Sequence, residues 1–235
     1  VGRYQGTYRV TEGLLDRFGP QRVLDTPISE IAIAGLATGS AMAGLRPVAE
    51  FMTWSFALSA MDQIVNHAAK ITYMSSGRIH CPVVFRGPAG TGNQLSAQHS
   101  QSLESWYAHT PGLKVVLPYT PEDAKGLLKT AIRDDNPVIF MEHAGLYAMR
   151  GDVPEDPGFT VPFGQAAIRR EGSDVTLIGY SIMVRKCLTA AERLEAEGVS
   201  CEVVDLRTLT PLDMETIMGS VSRTHRVVVT QEEWR

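Results

Sequence analysis

Short apolar runs alternate with longer segments of mixed polarity along most of the chain. In the first 150 residues the runs are rich in Val and Ile and apolar on both faces, which is typical of a parallel sheet covered on both sides. They predict strands at 22–26, 46–51, 82–87, 113–119 and 136–143, with helices at about 28–43, 55–75 and 121–134. Strands that alternate with helices in this way predict an α/β fold with right-handed crossovers.

A stretch rich in Pro, Gly and Asp interrupts this pattern at 148–164 and predicts a linker between domains at 1–147 and 165–235. The alternation then resumes. It predicts strands at 174–181, 201–209 and 226–232 and helices at 183–197 and 212–222. Because a parallel sheet of three strands leaves much apolar surface uncovered, we expect the second domain to be truncated.

The amino-acid composition argues against several classes of function. The chain has 235 residues, 44% of them hydrophobic, and a formal net charge of −4. This mild acidity argues against general attraction to nucleic acid or anionic membranes, and no uninterrupted apolar run would span a bilayer. The cysteines are Cys81, Cys187 and Cys201. They form no close pair, which predicts buried thiols rather than a disulfide framework or a zinc site.

Glu30 is a lone carboxylate at the entrance of an uncharged apolar stretch, 31–45, that the sequence predicts to be buried. One interpretation is a helix N-terminus, capped by Thr26, opened by Pro27 and complemented by the charge of Glu30. The other is a desolvated carboxylate that shares a proton with a bound ligand. Both interpretations are compatible if a ligand binds at the carboxyl ends of the strands, as in other open α/β sheets.

The Gly-rich segment 86–101 follows a predicted strand and contains His99 near its end. It has neither a P-loop ending nor a GxGxxG pattern, so a phosphate-binding role is weakly supported. A lone histidine is more often structural, but its position on a long loop after a strand favours contact with a substrate.

A cluster of large apolar residues, three of them aromatic, lies at the turn from the predicted strand at 46–51 to the next predicted helix. It consists of Phe51, Trp54, Phe56 and Met61. Core packing is the ordinary interpretation, and stacking on a flat heterocycle is the alternative.

Several motifs, in order along the chain, resemble the β subunits of thiamine-diphosphate-dependent 2-oxoacid dehydrogenases, and most closely those that act on pyruvate. They include DTPISE at 25–30, GLRPVAEFMTWSF at 44–56, RGPAG at 86–90, AQHSQ at 97–101 and VVDLRTLTPLDMETI at 203–217. The resemblance implies a parallel-sheet pyrimidine-binding domain followed by a transketolase-type C-terminal domain. It also implies that the family's first strand and helix would precede Val1.

The resemblance assigns roles to four side chains. Glu30 matches the glutamate that hydrogen-bonds N1′ of the cofactor's aminopyrimidine and so promotes loss of the proton from thiazolium C2. Phe56 matches the aromatic residue that stacks on the pyrimidine, with Met52 nearby. His99 matches a histidine that acts during decarboxylation and during reductive acylation of a lipoyl group.

The resemblance also implies ions and partners. Main-chain oxygens of the family hold a potassium ion, and the matching residues are Val83, Ala131, Ile132, Asp134 and Asn136. The family's GDG motif for Mg²⁺ and diphosphate is absent, since 150–155 reads only RGDVPE. An α subunit is therefore expected to hold the diphosphate and Mg²⁺ in an α2β2 tetramer. Small residues of the first helix would allow close packing there or inside the fold: Ala34, Gly35, Gly39 and Ala43.

The resulting hypothesis is the β subunit of an enzyme that oxidatively decarboxylates pyruvate and transfers the acyl group to the lipoyl domain of a dihydrolipoyl acetyltransferase core. A branched-chain 2-oxoacid or acetoin dehydrogenase β subunit is the nearest alternative, and a non-catalytic α/β binding protein is a distant one. The expected compartment is the bacterial cytoplasm, or the mitochondrial matrix or plastid of a eukaryote.

Overall fold

Helices and strands alternate through most of the computed structural model, which describes residues 5–92 and 94–233. The helices are α1 (Leu14–Phe18), α2 (Glu30–Met42), α3 (Ile71–Met74), α4 (Glu104–Ala108), α5 (Pro121–Arg133), α6 (Ile182–Glu195) and α7 (Met214–Thr224). The strands are β1 (Val48–Glu50), β2 (Val84–Ala89), β3 (Lys114–Val116), β4 (Val138–His143), β5 (Ala167–Arg170), β6 (Val175–Gly179), β7 (Cys201–Asp205), β8 (Thr208–Thr210) and β9 (Val227–Val229). The α/β prediction is confirmed.

The described strands form two sheets. A five-stranded sheet has the order β1-β2-β4-β3-β8, in which β1 to β4 run parallel and β8 is antiparallel. A four-stranded sheet has the order β5-β7-β6-β9, in which β5 is antiparallel at one edge. The sequence did not predict β5, whose mixed burial and two arginines lack the apolar pattern of the central strands.

The predicted strand at 201–209 is wrong in one respect, because it divides between the two sheets. β7 ends at Asp205, and Arg207 takes a left-handed φ of 59° that turns the chain. The amide of Arg207 donates to Asp205 Oδ1 at 3.1 Å. β8 then joins β3 of the five-stranded sheet, so the two sheets share one continuous segment of backbone.

The predicted strand at 22–26 is also wrong. These residues form turns and irregular backbone, and Leu24 is 57% exposed. The segment lies between Pro20 and Pro27, and it belongs to neither of the sheets in the described residues. A short apolar run without a pairing partner does not become a strand.

The helix predicted at 55–75 is not one regular helix. It consists of a 3₁₀ segment at Phe56–Ala60, a π-helical segment at Asp62–Ala68 and α3. In the π segment the amide of Ala69 donates to the carbonyl of Ile64 at 3.0 Å, five residues back. This wider turn still buries Ala57, Ala60, Ile64 and Ala68 on one side, so the pattern correctly identified the buried face.

The first long helix, α2, begins later than predicted and is only partly buried. Its N-cap is Ser29, so Thr26 does not cap it. One face, which includes Ile33, Ala34 and Ala37, lies in the core, whereas Ile31 is 54% exposed and Leu36 is 53% exposed. Of the four small residues, Ala34 is buried and Gly35 faces Gln63, while Gly39 and Ala43 are exposed.

The start of α5 is as predicted. Thr120 Oγ1 accepts from the Asp123 amide at 3.1 Å, and the Asp123 carboxylate accepts from the Thr120 amide at 3.5 Å. This reciprocal capping box, with Pro121 in the first turn, satisfies two donors at the helix N-terminus.

A buried ion network joins α5 to the four-stranded sheet. Arg169 of β5 donates to the carboxylates of Asp123 and Asp205, both of them fully buried, and Arg207 pairs with Asp123 at 2.9 Å. Burial raises the pKa of Asp205 to about 6, although Arg169 opposes the shift. Arginine side chains therefore supply the counter-charges for two carboxylates that are buried in the fold.

We expect Arg169→Met to lower the free energy of unfolding by about 3–5 kcal/mol near neutral pH, because it leaves buried carboxylates without their main partner. Without Arg169 the folded-state pKa of Asp205 rises further above its unfolded value. The loss of stability caused by Arg169→Met should therefore be small below the pKa of Asp205 in the unfolded chain. It should grow as the pH rises through the pKa of Asp205 in the folded chain. Urea denaturation of both proteins at about pH 5 and about pH 8 measures this loss.

Arg170→Met is the matched control, because Arg170 pairs at 3.0 Å with Glu195, whose side chain is 68% exposed. An exposed pair of this kind contributes about 0–1 kcal/mol. Equal losses in the two variants would contradict the assigned role of Arg169.

Candidate functional site

The carboxyl ends of β1 and β2 open at the same edge of the five-stranded sheet. The two strands run parallel, with Val48 opposite Val84 and Glu50 opposite Arg86. Beyond the paired residues, the amide of Phe51 donates to the Arg86 carbonyl and that of Trp54 to the Pro88 carbonyl, both at 2.9 Å. The segments after β1 and β2 therefore lie side by side where open α/β sheets bind ligands.

Two of the predicted site residues meet at this edge. The rings of Phe56 and His99 lie edge to face, with centroids 5.0 Å apart and an interplanar angle of 78°. Phe56 is half-buried and His99 is exposed. The hydroxyl oxygen of Ser55 accepts from the Gln101 amide at 3.4 Å, which holds the two segments together.

Residues 51–56 divide between core and site. Phe51 and Trp54 are fully buried, and Trp54 packs edge-on against Phe51 and Tyr107 at centroid distances of 5.4 and 5.1 Å. The ordinary interpretation thus holds for these two residues. Met52 and Phe56 remain half-buried and accessible on the same turn.

The backbone that carries His99 is held in an unusual conformation. Gln94 has a φ of 49° and Ser96 a φ of 76°, both in the left-handed region that side chains disfavour. Such residues cost about 1–3 kcal/mol each and persist only where surrounding contacts enforce them. Next to His99, the hydroxyl of Ser100 is buried and has no hydrogen-bond partner in the described residues.

Glu30 is the first residue of α2 and is half-buried. The helix dipole favours a carboxylate at this end, and no described residue pairs with it. Its position at the helix N-terminus agrees with the first interpretation and leaves its carboxylate available to a ligand. No described contact joins Glu30 to Phe56 or His99.

Directly beneath the strand ends lies a buried charge cluster that the sequence did not reveal. The guanidinium of Arg86 donates to Glu142 Oε1 at 2.6 Å and to Glu50 at 2.5 Å, and Tyr147 donates to Glu142 at 2.7 Å. Burial alone would lower the pKa of Arg86, but these carboxylates raise it. The available signal was three charges within otherwise apolar strands.

This cluster also borders a cavity of about 780 Å³ that α2 and α5 close on other sides. None of Glu30, Met52, Phe56 and His99 is among its lining residues. This cavity and the predicted site are therefore separate places in the described part of the chain.

Several of the main-chain oxygens predicted to hold potassium accept hydrogen bonds from protein donors. Arg46 donates to the carbonyl oxygens of Ile132 at 3.1 Å and Asp134 at 2.9 Å, at the C-terminal end of α5. The Val83 carbonyl accepts from the Val138 amide at 2.9 Å. The Arg46 guanidinium would compete with a cation for two of these carbonyl oxygens, and the potassium site stays a prediction.

Residues 5–92 and 94–233 contain no group of three or more His, Cys, Asp or Glu side chains arranged to hold a metal ion. Nor does any helix in these ranges have the length and apolar character needed to cross a bilayer.

Two family models match the chain. The transketolase pyrimidine-binding domain matches residues 2–149, and the transketolase C-terminal domain matches residues 164–235. Among solved structures, a chain described as a split-gene transketolase, an inactive β4 tetramer, superposes with a TM-score of 0.77 at 27% identity. That match covers 97% of this chain and 71% of the other.

Curated relatives are more similar in sequence. The pyruvate dehydrogenase E1 component subunit beta of Rickettsia felis is 57% identical over 100% of this chain and 72% of its own length. The mitochondrial counterpart of Caenorhabditis elegans is 53% identical over 100% of this chain and 67% of its own length.

Proposed function

We propose, since the chain belongs to the family of pyruvate dehydrogenase E1 component β subunits, that it provides the pyrimidine-binding side of a thiamine diphosphate site. The observation that carries this proposal is the meeting of Phe56 and His99 at the carboxyl ends of β1 and β2. An accessible aromatic ring beside an imidazole suits a flat, basic heterocycle.

Each site residue has a distinct task in this proposal. Phe56 and Met52 orient the aminopyrimidine by apolar contact. Glu30 holds a proton between its carboxylate and the pyrimidine N1′. His99 moves a proton at the reacting carbonyl oxygen and serves the later transfer of the acyl group to a lipoyl sulfur. Bound thiamine diphosphate supplies the electron sink needed to decarboxylate a 2-oxoacid.

The donor set fits one half of the cofactor. The site offers an aromatic ring, a carboxylate without a described partner and the unpaired hydroxyl of Ser100. The doubly charged end of the cofactor and its Mg²⁺ need hard oxygen ligands and main-chain donors, which we assign to an α subunit. The exposed apolar face of α2, with Ile31 and Leu36, supports such an interface.

The substrate we propose is pyruvate, with the lipoyl group of a dihydrolipoyl acetyltransferase core as acceptor. The relatives at 52–57% identity are named for pyruvate dehydrogenase, which favours pyruvate over branched-chain 2-oxoacids or acetoin. The eukaryotic relatives are named mitochondrial and the bacterial ones are not, so the compartment follows the source. A non-catalytic role is the remaining alternative, and it would tolerate loss of Glu30.

The first experiment compares Glu30→Gln with the wild-type chain, each with its α partner. The change preserves shape but removes the charged acceptor at N1′, so hydrogen–deuterium exchange at thiazolium C2 should slow by ~10²–10⁴-fold. Glu122→Gln is the control, because Glu122 also lies in the first turn of a helix. Near wild-type exchange in Glu30→Gln would contradict the assignment.

His99→Ala should reduce acyl transfer to a lipoyl domain by ~10²-fold or more while thiamine diphosphate binding stays near that of the wild type. In this proposal His99 acts on the substrate rather than supporting the fold, because its side chain is exposed and its ring meets only that of Phe56 among the described ring contacts. His109→Ala, an exposed histidine that follows α4, is the control. Loss of activity explained wholly by weaker cofactor binding would count against this role.

The chain alone should bind thiamine diphosphate poorly and show no turnover, and adding the α subunit should restore both. The structural relative described as an inactive β4 tetramer supports this expectation. Calorimetric titration with Mg²⁺ and thiamine diphosphate, with and without the α subunit, provides the measurement. Micromolar binding with decarboxylation by the single chain would overturn the two-chain proposal.

A further inference from the structure

Two consecutive glutamates after β9 reach across from the four-stranded sheet to the segment that carries His99. This histidine segment is described at residues 90–92 and 94–105. The amide of Thr91 donates to Glu232 Oε1 at 3.1 Å, and the Thr91 hydroxyl donates to the same oxygen. The hydroxyl of Ser105 donates to Glu233 Oε1. Glu232 thus binds the start of the histidine segment, and Glu233 binds its end.

Glu232 is itself fixed from the opposite side. Its second oxygen, Oε2, lies 3.1 Å from Nε2 of His143, a side chain that is 7% exposed. Nδ1 of His143 accepts from the Gly145 amide at 3.1 Å, so the ring proton is on Nε2 and is donated to Glu232. Burial raises the pKa of Glu232, but the bonds from His143 and Thr91 prevail and hold it at about 2.

The chain approaches this carboxylate too closely for a side chain at residue 90. Gly90 has a φ of +78°, and a Cβ added there would lie 2.3 Å from Glu232 Oε2 and 2.9 Å from the His143 ring. The amide of Gly90 also donates to the Gln101 carbonyl at 3.0 Å, which closes the base of the histidine segment. Only glycine fits this combination of conformation and proximity.

The far end of the segment has a second contact with the four-stranded sheet. Tyr180, just after β6, donates to the buried carboxylate of Glu104 at 3.0 Å. Together with the bond from Ser105 to Glu233, this fixes the start of α4. Between the two anchored ends lie the left-handed Gln94 and Ser96 and then His99 itself, so the segment's unusual backbone is supported from outside.

We propose that Glu232 and Glu233 form a two-point clamp that positions His99 for its part in the reaction. Neither glutamate touches the reacting atoms, so both are positioning residues. The inference rests on the proposed function for the role of His99, and on the contacts alone for the clamp. It assigns to the second sheet a task in ordering a catalytic segment of the first.

The test uses the chain together with its α subunit. Glu232→Gln and Glu233→Gln weaken the clamp from one side, and Thr91→Val and Ser105→Ala weaken it from the other. Hydrogen exchange read by mass spectrometry should be roughly tenfold faster at residues 94–103, because a hydrogen bond to a charged group is lost. Exchange in β2 and β4 should not change, and the exposed Glu192→Gln is the control.

The functional measurement is the rate of acyl transfer to a lipoyl domain. The glutamine variants should lower kcat for this transfer and leave the KM for pyruvate unchanged, since His99 becomes misplaced while substrate binding persists. Wild-type exchange in all four variants would overturn the clamp. Faster exchange with unchanged acyl transfer would overturn its role in positioning His99.

Failure of the proposed function has a different signature. Full acyl transfer by His99→Ala would remove the catalytic role of His99, while the exchange measurements would still decide whether the clamp exists. The two failures therefore give different results.

Discussion

The buried guanidinium of Arg86 is the interaction on which the site geometry most depends. It joins three neighbouring strand segments, because Glu50 lies in β1, Arg86 in β2 and Glu142 in β4. A shift of one residue in either strand pair would turn a charged side chain towards the opposite face and leave a buried charge unpaired. The cluster thereby fixes the register of the strands whose carboxyl ends carry Met52, Phe56 and the histidine segment.

The two sheets are coupled by the same principle, because a buried charge is stable only when a specific partner pairs with it. Arg169 joins β5 to the N-terminus of α5, and β8 leaves one sheet to pair with β3 of the other. The glutamates after β9 add a contact at the site itself. The C-terminal sheet therefore constrains the N-terminal domain at its sheet edge, at a helix cap and at the histidine segment.

Sequence patterns identified the features that depend on local chemistry. β2 and β4 were predicted because they are apolar on both faces, and the predicted start of α5 at residue 121 agrees with the capping box of Thr120 and Asp123. The sequence predicted a strand at 22–26 where none forms and missed the change of sheet after Asp205, since both depend on which distant strand is available as a partner.

The residues of the candidate site also fall into those identified from the sequence and those seen only in the structure. Glu30, Phe56 and His99 were candidates from their local sequence, and the resemblance added Met52 and assigned the roles. Those roles stay predictions, although the structure does bring Phe56 and His99 together. Arg46 and Glu232 had no local signal, because each acts on residues more than 80 positions away in the sequence. For Arg86 the only signal was a charge within an apolar strand, and its partner Glu50 is 36 positions away.

The two faces of α2 explain why a chain with a well-packed core would still require a partner. Its inner face packs against residues 57–64 with Ala34 and Ala37, whereas Ile31 and Leu36 face outward on the same helix that begins with Glu30. An exposed apolar stripe next to a carboxylate without a described partner is costly in an isolated chain, but both features are useful at an interface. Packing of another chain on this stripe would desolvate the surroundings of Glu30 and strengthen its hydrogen bond to a ligand. In the proposed arrangement, assembly of the two chains and activation of the cofactor would therefore depend on the same helix.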